Sequence, residues 1–240
     1  MQAADKPAKQ NTHLRQASLV EAALKLAAQR SPADITTTDL ARAVGITQGA
    51  VFRHFASKEA IWLAVMASTT EQLMSQLQAA ALAADAPLVT PSTELTASTQ
   101  PAERNALRAL EAVFMAHVAF VVAYPGVPRV IFQELQQPQD TALKASVRAL
   151  MQQYRALLMR LLLQAQQEHL IAPQEDLTGA CVLFIGSVQG LVMQALMSGD
   201  VTAMTHLAPG VYALYQRGLC ASPLAAPPDT PPRLPLPASL

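Results

Sequence analysis

Residues 57–86 and 139–172 contain neither proline nor glycine. Both stretches are rich in Ala, Leu, Met and Gln, which lose little freedom on entering a helix. In the second, Leu143, Val147, Leu150, Tyr154, Leu157, Leu158 and Leu161 recur at spacings of three and four, the period of a helix with one buried face. Strand signals are sparse: nine glycines, 5% aromatic residues and no long alternating β-branched run. The expected fold class is all-α. Hydrophobic residues are 51% of the 240, ample for a core and incompatible with global disorder.

Prolines divide the rest. Residues 84–100 read as a flexible loop rich in hydroxyls, and Pro101 is expected in the first turn of a helix that ends before Tyr124-Pro125-Gly126. Further helices are expected over Pro128–Gln137, Gln139–Leu170 and Asp176–Ser198, with a last one ending near Arg217-Gly218. Pro209 is placed near the start of that last helix, because an interior proline breaks the hydrogen-bond ladder. Residues 221–240 hold seven of the 17 prolines and read as a disordered tail.

The formal net charge is 0, which excludes a protein basic throughout. Residues 1–60 nevertheless carry eight Lys/Arg against five Asp/Glu, so a basic front end precedes a slightly acidic body. Cys181 and Cys220 provide no disulfide framework and no metal spacing. The five histidines (13, 54, 117, 169 and 206) show no metal-ligand pairing, so neither metal nor cofactor is expected. The N-terminus lacks the apolar core of a signal peptide, and the cytoplasm is the expected location. Residues 177–199 are uncharged and long enough to cross a bilayer, and Val113–Val122 is a second, shorter apolar run. Thr178, Ser187, Gln189, Gln194 and Ser198 interrupt the first, favouring a buried or interface helix of a non-membrane protein.

The first sixty residues are the most informative. Leu19, Ala22, Ala23 and Leu26 form the buried stripe of a first helix. Thr36 is placed to cap a second, with Asp39 as its capping-box partner, and Gly45 ends that helix at small conformational cost. Ile46 plugs the core beneath, Thr47 caps a third helix over Gln48–Phe55, and Ser57 starts a fourth. Two short helices around a glycine turn are a helix-turn-helix, whose second helix enters the DNA major groove. Gly49 and Ala50 permit close approach, while Val51 and Phe55 face inward. Thr47 and Lys58 can reach phosphates, Gln48 can pair with adenine or else bond phosphate or water, and Arg53 and His54 can meet base edges or backbone.

Through LVEAALKLAA, TTTDLARAVGITQGAVFRHF and SKEAIW, residues 12–60 resemble the DNA-binding domain of the TetR family of bacterial transcriptional regulators. Phe52 stands where many members have a phosphate-contacting tyrosine, and Ser31 where a glycine is common. The resemblance implies a basic arm (1–11), a DNA-binding domain (12–57, with Thr36, Thr37, Thr47, Gln48, Gly49, Ala50, Phe52, Arg53, His54 and Lys58 facing DNA) and an effector-binding and dimerisation domain (58–220). It implies a homodimeric repressor on a near-palindromic double-stranded operator, released by a small hydrophobic effector. Low charge in the body favours an apolar ligand. Candidate pocket residues are Phe114, His117, Phe120, Tyr124, Phe132, Tyr154 and Phe184. Candidate dimer contacts are Phe184, Gly186, Val188, Gly190, Leu191 and Ala195. The alternatives are a helical enzyme with His117 or Glu134 as a base, or a small-molecule-binding protein whose helix-turn-helix has lost its role. No paired carboxylates, nucleophile elbow or phosphate loop supports an enzyme, and no membrane partner is expected.

Overall fold

Most helices begin where the sequence supplies an oxygen for the first free N–H groups. The computed structural model describes residues 6–85 and 106–220, with nine α-helices and no strand among them. They are α1 (Lys6–Gln29), α2 (Thr37–Ala43), α3 (Gln48–Val51), α4 (Lys58–Asp85), α5 (Ala106–Ala123), α6 (Gly126–Leu135), α7 (Ala142–Gln167), α8 (Leu177–Ser198) and α9 (Ala203–Cys220). A short 3-10 turn, Pro32–Asp34, links α1 to α2. The fold is all-α, an N-terminal helix-turn-helix domain followed by a larger helical body.

Thr36 Oγ1 accepts from the Asp39 N–H at 3.1 Å while Asp39 Oδ2 accepts from the Thr36 N–H at 2.9 Å, closing the capping box. Thr47, Ser57, Thr141 and Asp176 cap α3, α4, α7 and α8 through a side-chain oxygen that accepts from a backbone N–H. At the end of α2, Gly45 has a φ of 68°, and the Ile46 N–H reaches the Ala41 carbonyl at 2.9 Å. That left-handed turn swings the chain sharply into α3.

Four expectations change. The third helix stops at Val51 rather than Phe55: the Arg53 and His54 N–H groups bond to carbonyls three residues back, at 3.3 and 2.9 Å. The tightened turn lets Phe55 drop into the core before α4 begins. Pro209 lies inside α9, six residues past its first residue. It occupies the exposed side, where an unpaired carbonyl is open to hydration, while buried Met204, Ala208, Tyr212 and Tyr215 hold the inner side. Residues 6–11, expected as an arm, continue α1. Residues 84 and 85, expected in a loop, end α4; the rest of that loop, Pro101 and the 221–240 tail lie outside the described residues.

One buried apolar set runs from Leu19 in α1 to Leu219 in α9. α4 carries it from one domain into the other, packing on α1 at one end and on α5 and α7 beyond. α5 and α8 are each long and apolar enough to cross a membrane, but 50% and 44% of those windows are buried inside the bundle. α6 packs against α1, the 3-10 turn and α7. Gln133 Oε1 on α6 accepts from the Ala33 N–H at 3.0 Å and from the Ser31 hydroxyl at 3.2 Å. α6 thus ties the body to the helix-turn-helix domain.

Candidate nucleic-acid interface and ligand cavity

The capped turns present Thr36, Thr47, Gln48, Gly49, Phe52 and Arg53 to solvent, with Thr37 half-buried beside them. Gln48 Nε2 donates to Thr37 Oγ1 at 2.8 Å, so the side chain placed to read bases is held by α2. A Cβ at Gly49 would meet nothing within 4 Å, leaving the start of α3 open to close approach. Asp39 accepts from both Thr36 groups and pairs with Arg30 at 2.9 Å, and these bonds hold its carboxyl well below the usual carboxylate range. It is a structural anion beneath the reading face.

Three expected DNA contacts sit differently. Ala50 is buried and packs inward. His54 turns its Nδ1 into the protein, where it is buried without a hydrogen bond, and its carbonyl accepts from Gln16 at 3.0 Å. The position of His54 follows from the tight turn after Val51, which brings its carbonyl to Gln16 of α1. Lys58 Nζ donates to the Ala33 carbonyl at 3.0 Å, bracing the 3-10 turn.

In the body, α4, α5, α6, α7 and α8 line a cavity of about 430 Å³ that opens to solvent past the exposed Gln152, Arg155 and Val182. Leu73, Phe120, Val121, Ile131, Phe132 and Val188 form much of its apolar wall, and His117 lies on it. Of the expected pocket residues, His117, Phe120 and Phe132 meet there. Tyr124 instead lines a cleft between α1 and α4. Phe114, Tyr154 and Phe184 belong to a packed aromatic core with Tyr212 and Tyr215: Phe114 meets Phe184 edge-to-face at 5.2 Å, and Phe184 meets Tyr215 at 5.4 Å. These three are fully buried because α5, α7 and α8 close directly over them.

His117 Nδ1 lies 3.0 Å from the Tyr154 hydroxyl. A buried phenol needs an acceptor, and burial raises the Tyr154 pKa, so the hydroxyl keeps its proton and donates it. Burial pushes His117 down to about 4, leaving a neutral ring with its remaining N–H on Nε2. Glu134 accepts from the Thr141 hydroxyl at the head of α7 and does not line the cavity. Sequence reasoning missed Arg148, Gln152 and Arg155, which line the cavity from α7. Their spacing of four and three, beside the Val147–Leu150–Tyr154 stripe, was the available signal.

The outer faces of α8 and α9 also differ from expectation. Phe184, Val188, Leu191 and Ala195 are buried within the protomer, so they cannot also pack across a two-fold axis. Gly186 and Gly190 do face out, and a Cβ on either would meet nothing within 4 Å. With them on one helical stripe lie exposed Leu183, Met193 and Met197, 57%, 47% and 75% accessible. On α9, Leu207, Gly210 and Leu214 are exposed at the same spacing.

Residues 19–65 match the family described as bacterial regulatory proteins, tetR family. A comparison with curated proteins gives no significant match. Among solved structures, the fatty acid degradation regulator FadR from Bacillus halodurans is 18% identical with a TM-score of 0.68, over 85% of this chain and 96% of that one. FadR from Bacillus subtilis, solved in complex with stearoyl-CoA, is 17% identical with a TM-score of 0.67, over 84% and 98%. The ketosteroid transcriptional regulator KstR2 of Mycobacterium tuberculosis is 20% identical with a TM-score of 0.65, over 87% and 96%. These likenesses extend to the helical body, and the family match falls on the helix-turn-helix just described. The helix-turn-helix of residues 19–65 is that of the tetR family of bacterial regulatory proteins, and it marks the chain as a DNA-binding transcriptional regulator.

Proposed function

We propose that this regulator is a homodimeric repressor that leaves a near-palindromic operator when a small molecule with a large apolar part fills the cavity. The observation that carries the reading is the shared wall: Leu73 of α4 and Val127, Pro128, Ile131 and Phe132 of α6 line the cavity, and both helices also pack on α1. A ligand that fits one spacing of α4 and α6 better than another must change operator affinity by the same ratio. The volume lies in the range of small-molecule sites, and the stearoyl-CoA held by the Bacillus subtilis FadR supports an apolar ligand.

In this reading residues 12–57 bind DNA and 58–220 bind the effector and the second subunit. Thr36, Thr37, Thr47 and Arg53 hold phosphates, Gln48 reads a base, and Gly49 allows approach. Phe52 supplies apolar contact without a phosphate-binding hydroxyl. The α8–α9 face, with Leu183, Gly186, Gly190, Met193, Leu207 and Leu214, meets its own copy, the two glycines permitting close backbones. Two reading helices then lie about 34–36 Å apart, one turn of DNA. The cytoplasm is the compartment this function requires.

Light scattering at micromolar concentration tests the assembly. The expected mass is twice 25.6 kDa, and Gly190→Arg is expected to give a folded monomer with much weaker operator binding. A wild-type monomer that binds the operator at full affinity would contradict the proposal.

A further inference from the structure

The cavity is apolar over most of its wall, yet two arginines line it and no aspartate or glutamate does. Arg148 is neutralised by Asp140 at 2.5 Å, a residue outside the cavity lining. Arg155 makes no ion pair among the described residues. It stands seven residues, about two helical turns, from Arg148 on α7, with Gln152 between them on the same face. Gln189 of α8 adds a further polar group to the lining. Arg148, Gln152, Arg155 and Gln189 are all exposed, so these polar groups stand at the mouth of the cavity, where a wholly apolar ligand leaves the charge to water. A ligand with an anionic head would pair it.

We propose that Arg155, supported by Gln152, selects effectors that end in an anionic group, carboxylate or phosphate, attached to an apolar chain. This deepens the effector reading above and rests on it. It also narrows the expectation, drawn from low charge in the body, that a hydrophobic ligand is favoured over a highly charged one. A guanidinium fits either head with paired N–H donors, and such charge-assisted bonds are the strong ones. The chain then lies against Phe120, Ile131, Phe132 and Val188, which supply apolar area but no discrimination between heads.

Equilibrium dialysis of the full-length protein with laurate, lauroyl-CoA and lauryl alcohol, all below their micellar range, tests the proposal. At least one of the two anions is expected to bind about tenfold or more tighter than the alcohol. Tight laurate identifies a carboxylate head; tight lauroyl-CoA alone identifies a phosphate-bearing one. Arg155→Met should bring the anion within about threefold of the alcohol while leaving alcohol binding unchanged, and Arg155→Lys should keep most of the preference. Equal binding of all three ligands to the wild type, binding of none, or a preference that survives Arg155→Met would overturn the proposal. Operator binding by the ligand-free wild type and Arg155→Met separates these failures from failure of the regulator reading.

Discussion

Gly126, the first residue of α6, rests on the backbone of α1: a Cβ there would lie 2.3 Å from the Leu24 carbonyl oxygen and 3.0 Å from the Ala28 nitrogen. Neither atom can move without moving α1. The substitution Gly126→Ala ordinarily favours a helix by up to about 1 kcal/mol, but here overpacking should cost about 1–3 kcal/mol instead. Denaturant midpoints measure the sign. An unchanged or raised midpoint would mean that α6 does not dock on α1 as described.

His117 gives the body a pH dependence of known sign. Its folded pKa, pushed by burial to about 4, lies below the ordinary histidine value of 6.5. Between those values the unfolded chain binds a proton that the folded chain does not, so stability rises with pH. The contribution is fully present above about pH 6.5 and is lost as pH falls toward 4, amounting to about 3 kcal/mol. Unfolding of wild type and His117→Asn at pH 7 and pH 5 isolates it. The wild type should lose more stability than the variant; equal losses would remove His117 as the cause.

At Gly49 the structure has room for a side chain, whereas DNA seated on α3 would not. Gly49→Glu should therefore keep the wild-type helical content and melting temperature within a few degrees while losing operator binding by at least about tenfold. Retained binding would place DNA elsewhere on the protein.

Gln48 and Thr47 should fail differently. Gln48→Ala removes a base contact and should change preference at one or two base pairs, at about 1–3 kcal/mol for the preferred base. Thr47→Ala removes a helix cap and a phosphate partner, so its loss should be uniform across sequences. Uniform loss for Gln48→Ala would contradict base reading.

His169 adopts a φ of 57° at the end of α7, a conformation that costs a side chain about 1–2 kcal/mol. His169→Gly should raise the unfolding free energy by about 1 kcal/mol, read by chemical denaturation. A fall would show that the imidazole makes a stabilising contact at that turn.

The capped turns were legible because their signals are local. Thr36, Asp39, Gly45 and Thr47 act within four residues of themselves, and each does in the structure what its spacing implied. The two faces of α8 were not legible in that way. Phe184, Val188, Leu191 and Ala195 form one apolar stripe, and Leu183, Gly186, Gly190, Met193 and Met197 form another. Periodicity alone does not say which stripe meets the protomer's own core; the packing of α5 and α9 decides it. The cavity shows the same limit. Phe114, Tyr154 and Phe184 are as aromatic as Phe120 and Phe132, but helix packing buries the first three together and leaves the others beside open space. Pro209 was misplaced for a different reason: one exposed proline is tolerated when the inner stripe of its helix is well packed.

The central claim is that the face carrying Thr47, Gln48, Gly49 and Arg53 reads DNA as one half of a two-fold pair. Selection of bound duplexes from a random pool by the purified ligand-free protein tests it most directly. The expected result is enrichment of a near-palindrome whose half-sites lie about one helical turn apart, lost in Gly49→Glu. A folded dimer that enriches no sequence, or Gly49→Glu protein that enriches the same one, would contradict it.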